Sequence, residues 1–299
     1  MLKINAITRQ LGSITETNKD IEELVGWKAE EIFKKTGIKK RFISDKNENS
    51  LSLALDAVHK LDEKELNDCD LIVSVTNTPY YDFPNISNFI HSYFNLSKNV
   101  NCLGLNAGCT GFTDALEIVD SYFKSGFSKK ALIINTDTYS KFLNNKRSTR
   151  TLFSDGATAT IIEDAASGLN INKIIFSSVP KSQDSLYRKS DIDKSINMDG
   201  PKVMQFAIGT VLKDILDLVP REECVFFPHQ AGKLVLGIFS NKLPSTVETI
   251  TNYENYGNLV SASIPNLISE NMEKLDNKNI LLSGFGVGLS HKGILLNKV

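Results

Sequence analysis

Apolar and polar positions repeat with two different periods in the first half of the chain. Short runs rich in β-branched residues predict strands at 70–78, 100–107, 130–138 and 156–164. Apolar residues at helical spacing predict helices at 83–96 and 110–126. The apolar face of the second helix consists of Phe112, Ala115, Leu116, Val119 and Phe123. Gly126 follows this helix as a predicted C-cap.

The same alternation begins again after residue 165. Strands are predicted at 171–179, at 223–232 and twice within 279–296, and helices at 205–219, 233–243 and 262–275. Ser263 is expected to cap the last helix, with Pro265 tolerated in its first turn. The pattern predicts an α/β fold of two similar βαβαβ halves, residues 1–165 and 166–299, although no close sequence repeat is visible.

Composition and charge narrow the function classes. The 299 residues carry a net charge of −1, with 41% hydrophobic and 23% charged residues, which is typical of globular proteins. No global field recruits nucleic acid or a membrane surface. The apolar runs are far shorter than the roughly 20 residues that span a bilayer, and the N-terminus lacks the apolar core of a signal peptide.

The four cysteines include no CxxC pair, and no histidine lies at metal-ligand spacing from any of them. We therefore expect no disulfide framework and no metal site. Free thiols indicate a reducing, cytoplasmic location.

Cys109 occupies the most informative position in the segment LNAGCTGF. It follows a predicted strand and precedes a predicted helix, where free backbone N–H groups and the helix dipole favour a thiolate. Such cysteines have pKa values lowered from about 8.5 to roughly 3.5–7.5. The flanking Gly108 and Gly111 leave room for a substrate. The residue is therefore a candidate nucleophile, and a buried structural cysteine is the alternative.

Three further segments carry polar or glycine-rich positions at the ends of predicted elements. His229 follows an apolar strand in FFPHQAG, at the edge where α/β folds collect ligands. Asn258 follows a glycine in NYGNLVSAS, and taken alone it is a turn residue. The bend SGFGVGLSHKG lacks the ending of a phosphate loop, so a site of backbone N–H donors is the better interpretation.

The order of these segments resembles the β-ketoacyl-acyl carrier protein synthase III family, condensing enzymes of the thiolase superfamily. TGIKKRF (36–42), LFSDGATATIIE (152–163) and NYGNLVSASIP also match segments of this family, so the resemblance covers nearly the whole chain. It implies a five-layer αβαβα thiolase fold with the active site between the halves. It also implies a homodimer that needs no cofactor.

The resemblance implies a role for each matched residue. Cys109 would accept an acyl group from a thioester of coenzyme A or of acyl carrier protein. His229 and Asn258 would hold the carbonyl of a malonyl thioester while it loses CO2 and attacks the acyl group. The backbone N–H groups of Cys109 and Val287 would form the oxyanion hole. Phe285 would exclude water.

Phe83 resembles a residue that reaches the acyl tunnel of the partner subunit. Four positions at which this family binds the nucleotide, the substrate or the carrier protein depart from the family pattern. Glu31 stands in place of a nucleotide-stacking Trp, Lys35 in place of an Arg, Gly232 in place of an Asn, and Leu234 in place of a basic residue that docks the carrier protein. These differences suggest that the acyl donor is a carrier protein or an unusual thioester.

Two other functions remain open at this stage. An acyltransferase of the same fold would pass the acyl group to an alcohol or amine, with His229 as a general base. Asn258 argues for condensation, because acyl transfer to oxygen needs a base and not a residue that holds an enolate. An inactive partner subunit is the third possibility, and the complete set of Cys109, His229 and Asn258 argues against it.

Overall fold

The structure is a computed structural model that describes residues 1–144, 146–189, 194–276 and 278–298. Its strands are β1 (Leu2–Leu11), β2 (Ile14–Thr17), β3 (Lys40–Ile43), β4 (Leu71–Val75), β5 (Asn101–Leu105), β6 (Lys130–Asp137), β7 (Gly156–Asp164), β8 (Leu169–Ser178), β9 (Leu186–Tyr187), β10 (Asn197–Met198), β11 (Cys224–Pro228), β12 (Val247–Thr249), β13 (Asn279–Gly286) and β14 (Ser290–Lys298).

The α-helices are α1 (Glu22–Val25), α2 (Ala29–Thr36), α3 (Ser50–Val58), α4 (Glu63–Asn67), α5 (Ile86–Tyr93), α6 (Gly111–Lys124), α7 (Arg147–Arg150), α8 (Gly200–Phe206), α9 (Leu212–Leu218), α10 (Lys233–Lys242), α11 (Tyr253–Tyr256) and α12 (Ser263–Ser269). Short 3-10 turns at Gly108–Thr110, Val260–Ala262 and Val287–Leu289 lie close to the candidate site.

The large sheet contains the same five-stranded arrangement twice. Its order is β12-β11-β13-β14-β8-β1-β7-β6-β4-β5. In the first half, β4 pairs in parallel with β5 and β6, and β7 runs antiparallel between β6 and β1. In the second half, β11 pairs in parallel with β12 and β13, and β14 runs antiparallel between β13 and β8. The two halves meet at one antiparallel pair, Leu2 with Leu169. This repeat confirms the predicted structural duplication. The boundary at residues 165 and 166 stays a prediction.

Helices α6 and α12 form the middle layer between the two halves of the sheet. Helix α6 contacts β4 and β6 of the first half and β13 and β14 of the second, while α12 contacts β1, β7 and β11. One apolar cluster fills this layer, and Phe112 and Leu267 in it are fully buried. Helices α3 and α5 cover the outer face of the first half, and α9 and α10 cover that of the second. The five layers follow from burying both faces of each half.

The elements that differ from the sequence predictions include α3 and β12, which were not predicted. Strand β1 was not predicted, because a bulge between Ile4 and Ala6 breaks its alternation of apolar and polar positions. The helix predicted at 205–219 is divided by a π-helical turn at Ala207–Val211. Helix α12 ends at Ser269, and Ser263 does not cap it. Ser263 is its first residue, and its hydroxyl accepts a hydrogen bond from the backbone N of Leu259 instead.

Within the described ranges, no helix is both long and apolar enough to span a bilayer.

We expect Phe112→Ala to destabilise the protein strongly, because it opens a cavity in the middle layer. Removing a fully buried phenylalanine side chain typically costs about 3–5 kcal/mol of unfolding free energy. Phe127→Ala is the matched control, because Phe127 is 79% exposed. Urea unfolding measures both variants. Equal midpoints for the two would contradict the assignment of Phe112 to the core between the halves.

Candidate active site

Cys109 lies where β5 ends and α6 begins, inside the 3-10 turn Gly108–Thr110. Its side chain is buried, with 4% exposure. Two neighbouring positions require glycine. Gly108 has φ +57°, and a Cβ there would lie 2.6 Å from Oδ1 of Asn77. A Cβ on Gly111 would lie 2.2 Å from Val75. The glycines that flank Cys109 therefore set the packing of the turn as well as its space for a substrate.

Burial reverses the expected direction of the Cys109 pKa. The pKa of the thiol is raised, first by burial and then by the nearby carboxyl group of Asp137, while the backbone N–H of Cys109 opposes this rise. The prediction of a lowered pKa from the helix terminus alone was therefore wrong. Burial removes the water that would stabilise the thiolate, and this effect outweighs that of the backbone donors. Cys109 rests as a neutral thiol.

The bend between β13 and β14 approaches the sulfur atom directly. A Cβ on Gly286 would lie 3.0 Å from Sγ of Cys109, so the backbone passes beside the sulfur only because this residue is glycine. The next residue, Val287, packs its Cγ2 close to Gly108. This places the backbone of Val287 beside the turn that carries Cys109. The oxyanion hole formed by the N–H groups of Cys109 and Val287 stays a prediction.

His229 and Asn258 lie next to each other in the buried part of the site. Nδ2 of Asn258 is 3.2 Å from Nε2 of His229. The backbone N of Val260 donates a hydrogen bond to Oδ1 of Asn258 over 2.9 Å, which fixes the amide with its NH2 group toward the imidazole. The main chain of Asn258 is held by hydrogen bonds with Leu152 and Ser154.

The imidazole of His229 stays neutral in this environment. Burial lowers its pKa to about 3, and the nearby backbone of Val260 opposes the decrease. The backbone N of His229 donates to the carbonyl of Ser283 over 2.8 Å. The ring of Phe285 meets the imidazole edge-on, with centroids 5.4 Å apart. Phe285 therefore lies beside the catalytic candidates, as expected of a residue that excludes water.

A cavity of about 400 Å³ joins these residues to the surface. Cys109, His229, Asn258 and Phe285 all line it. The sequence-predicted catalytic set is therefore brought together in one place. Among the residues that the structure describes, no cluster of metal-ligating side chains occurs.

Lys35 and Gly232 also line this cavity, as predicted for substrate-binding residues. Gly232 has φ +101° before α10, a conformation that favours glycine over the asparagine of the family pattern. Leu234 lies on the rim and is 54% exposed. Glu31 is exposed and does not line the cavity. Phe83 is 85% exposed and lies apart from the site of its own chain.

Trp27 is a site residue that the sequence reasoning missed. Its indole lines the cavity, with Nζ of Lys35 and the guanidinium of Arg147 each 4.9 Å from its ring. It is the only tryptophan in the chain and lies eight residues before Lys35. The single tryptophan near Lys35 was the signal in the sequence that could have identified it as a site residue. The absence of a tryptophan at position 31 therefore does not remove the aromatic surface from the cavity.

Asp137 was also missed, because it is the last residue of a strand with no motif. Its carboxylate is fully buried and accepts hydrogen bonds from the backbone N of Asn77 at 2.8 Å and from the hydroxyl of Ser261 at 3.0 Å. Hydroxyls of Thr76 and Thr78 also donate to it. Burial raises the pKa of Asp137 to about 7. Asp137 connects the first half of the fold to the segment that carries Asn258.

Two family models match the chain. Residues 103–180 match the model of 3-oxoacyl-[acyl-carrier-protein (ACP)] synthase III, and residues 217–298 match the model of its C-terminal part. The first match includes Cys109. The second includes His229, Asn258 and Val287.

Individual relatives are similar over almost their full lengths. β-Ketoacyl-[acyl-carrier-protein] synthase III 2 of Bacillus anthracis is 31% identical, covering 98% of this chain and 97% of the relative. The synthase III of Clostridium perfringens is 32% identical, covering 93% and 94%. The crystal structure of 3-oxoacyl-[acyl-carrier-protein] synthase III from Aquifex aeolicus superposes with a TM-score of 0.89 at 29% identity, covering 99% of this chain and 100% of that chain. The predicted thiolase-like fold is confirmed.

We expect the His229 imidazole to stay neutral from pH 8 down to about pH 5. Its folded-state pKa is about 3, whereas an unfolded histidine titrates near ~6.5. This difference makes the unfolded chain bind the proton first, so His229 lowers the free energy of unfolding as pH falls below about 6.5. NMR of the imidazole resonance, assigned by its loss in His229→Asn, measures this. A chemical shift that titrates with a midpoint near 6.5 would contradict the buried, neutral imidazole.

Proposed function

The chain belongs to the 3-oxoacyl-[acyl-carrier-protein] synthase III family, and we propose that it loads an acyl group onto Cys109 and condenses it with a malonyl thioester. The observation that carries this proposal is the convergence of Cys109, His229 and Asn258 in one cavity. The orientation of the Asn258 amide, fixed by Val260, supports it further. The product is a 3-oxoacyl thioester.

The first step transfers the acyl group. The sulfur of Cys109 attacks the thioester carbonyl, a new carbon–sulfur bond forms, and the bond to the leaving thiol breaks. The proton of the Cys109 thiol ends on the departing thiol. Because the raised pKa of Cys109 keeps the thiol protonated at rest, loss of this proton accompanies attack. Backbone N–H groups of Cys109 and Val287 stabilise the tetrahedral oxyanion in this proposal.

The second step forms the carbon–carbon bond. Nδ2 of Asn258 and one ring nitrogen of His229 donate hydrogen bonds to the malonyl thioester carbonyl. The carbon–carbon bond to the carboxylate breaks and CO2 leaves. The electron pair of that bond forms an enolate with the thioester carbonyl. The enolate carbon attacks the acyl carbonyl on Cys109, the carbon–sulfur bond breaks, and the thiolate takes up a proton. Two neutral donors suit an oxygen that gains negative charge only during the reaction.

The cavity entrance fits the arm of either thioester carrier. Trp27 offers an aromatic surface, and Lys35, Arg147 and Lys233 supply positive charge around it. Phosphate groups on coenzyme A, or on the prosthetic arm of acyl carrier protein, match this charge. We propose acyl and malonyl thioesters of these two carriers as substrates and acyl carrier protein as the protein partner.

Transfer of the acyl group to an alcohol or amine is less well supported by the site. Such a reaction needs a general base with a pKa near the working pH. Burial lowers the pKa of His229 to about 3, and the amide of Asn258 takes up no proton. The same two groups serve condensation well, because an enolate needs donors and not a base.

We also propose that the protein is a cytoplasmic homodimer. Strand β5 lies at one edge of the large sheet, with its outer backbone groups open to pairing. Four exposed aromatic residues, Tyr80, Tyr81, Phe83 and Tyr93, lie on the segment between β4 and β5. An apolar patch beside an open edge favours a second copy, and Phe83 would then reach the partner's site. The four free cysteines support a reducing compartment.

We expect incubation with acyl-coenzyme A or acyl-carrier thioesters to add one acyl mass to the wild-type protein. Cys109→Ala removes this mass gain, because the nucleophile is lost. Cys102→Ala is the matched control, because Cys102 is a second thiol that is only partly buried and it should leave loading unchanged. Intact-protein mass spectrometry measures all three. Acyl loading retained by Cys109→Ala would contradict the assignment, whereas an acyl-enzyme discharged by an alcohol but not by malonyl thioester would favour the transferase.

We expect His229→Ala and Asn258→Ala to separate the two steps. Both variants still acquire the acyl group on Cys109, because that step needs neither donor in the proposed scheme. Both lose condensation by about 100- to 1,000-fold, the typical cost of removing one donor from a developing oxyanion. Release of labelled CO2 from malonyl thioester measures the second step. Unchanged CO2 release in both variants would refute the proposed role.

A further inference from the structure

A second cavity, of about 280 Å³, lies beside the nucleophile and plays no part in the chemistry described above. The side chains that line it include Asn77, Asn106, Tyr139, Leu186, Arg188 and Val287. Leu186 also lines the catalytic cavity, so the two spaces share a wall. The walls of the second cavity combine apolar groups with several polar ones.

The second cavity is adjacent to the turn that carries Cys109. A Cβ on Gly108 would lie 2.6 Å from Oδ1 of Asn77 and 3.1 Å from Cγ2 of Val287, two residues of the cavity wall. Tyr139 belongs to the same buried apolar cluster as Cys109. An acyl group attached to Cys109 can therefore extend toward this cavity and leave the catalytic cavity to the second substrate.

Two hydrogen bonds join the uncharged side chains Tyr139, Asn77 and Asn106 of this wall. The hydroxyl of Tyr139 donates to Oδ1 of Asn77 over 3.1 Å, and Nδ2 of Asn77 donates to Oδ1 of Asn106. Burial raises the pKa of Tyr139, so its hydroxyl stays protonated. Asp137, which accepts a hydrogen bond from the backbone N of Asn77, also accepts one from each of three hydroxyl groups. The side chains of Tyr139 and Asn77 therefore already have partners within the protein.

Arg188 is a charged side chain of the same cavity wall. One guanidinium nitrogen donates to the carbonyl of Asn77 over a long 3.4 Å, and the group stacks over Phe142 at 4.3 Å from the ring centroid. No carboxylate within 1–144, 146–189, 194–276 and 278–298 forms an ion pair with Arg188. A guanidinium carries five donors in a fixed fork that matches a carboxylate. Arg188 lines the second cavity, so this fork can meet a carboxylate that enters it.

We propose that the second cavity binds the far end of an acyl chain that terminates in a carboxylate, held by Arg188. The favoured acyl donor is then the thioester of a short dicarboxylic acid, and not that of an unsubstituted fatty acid. This inference rests on the proposed function, because it requires the acyl group to be attached to Cys109. The far carboxylate takes no part in the bonds that form and break.

The test compares matched pairs of acyl thioesters. Succinyl-coenzyme A is paired with 4-methylpentanoyl-coenzyme A, which has the same shape but an apolar end, and glutaryl-coenzyme A with 5-methylhexanoyl-coenzyme A. Mass spectrometry follows loading of wild type, Arg188→Met, Arg188→Lys and Lys189→Met. Lys189→Met is the control, because it also removes one positive charge. Lys189 is the next residue in the chain, but its side chain is exposed and does not line the cavity.

We expect wild type and Lys189→Met to load at least one dicarboxylic acyl group about 10- to 100-fold faster than its apolar partner, as one charge-assisted hydrogen-bonded pair allows. Arg188→Met loses this preference while still loading the apolar group, which shows that it is folded. Arg188→Lys keeps part of the preference.

Three results would overturn the inference. Equal or faster loading of the apolar partners by wild type would reject it and leave the proposed function intact. The same holds if Arg188→Met keeps the preference for the dicarboxylic group. If no thioester of either series, nor any acyl-carrier thioester, loads Cys109, the proposed function fails and this inference fails with it.

Discussion

The packing of helices α6 and α12 between the two halves of the sheet is the constraint on which the site depends. The two helices occupy equivalent positions in the repeated topology, since each follows the third strand of its half. Each begins at the site: α6 directly after the turn of Cys109, and α12 directly after Val260–Ala262 and Asn258. Their burial in one apolar layer brings Cys109 of the first half close to the amide of Asn258 in the second.

Burial also sets the charge state of the site. The same lack of water raises the pKa values of Cys109 and Asp137 and lowers that of His229. The resting site therefore favours neutral groups over an ion pair between thiolate and imidazolium. Negative charge appears on substrate oxygens during the reaction, where preorganised neutral donors are worth more than they are in water. A buried neutral site fits chemistry in which a carbonyl oxygen gains charge in each step.

The sequence predicted the regular elements well wherever burial imposes a clean period. Helix α6 and strands β4, β6 and β7 agree with it to within a few residues, because one face or both faces are buried along their whole length. Strand β1 escaped prediction because its bulge changes the face on which apolar residues occur. A local change of register is invisible to a periodic pattern.

The site was predicted unevenly, and the reason is physical. Cys109, His229 and Asn258 stand in recognisable segments, so the order of those segments identified them together. Trp27, Asp137 and Arg188 are placed at the site by contacts with residues that are distant in the chain. Arg147 contacts Trp27, and Ser261 donates a hydrogen bond to Asp137. The direction of the Cys109 pKa likewise depends on burial by residues from both halves. Long-range packing of this kind leaves no local signature in a single sequence.

The division of labour between the halves explains why the site lies at their contact. The first half supplies Cys109, the proposed nucleophile, and the second supplies His229, Asn258 and the bend at Gly286 that passes beside the sulfur. In the proposed mechanism, the nucleophile and the donors for the second carbonyl therefore come from different halves. A reaction that joins two acyl groups needs two binding directions that meet at one sulfur atom. Stacking two copies of one topology provides both directions, and divergence of the side chains gives each copy a different role.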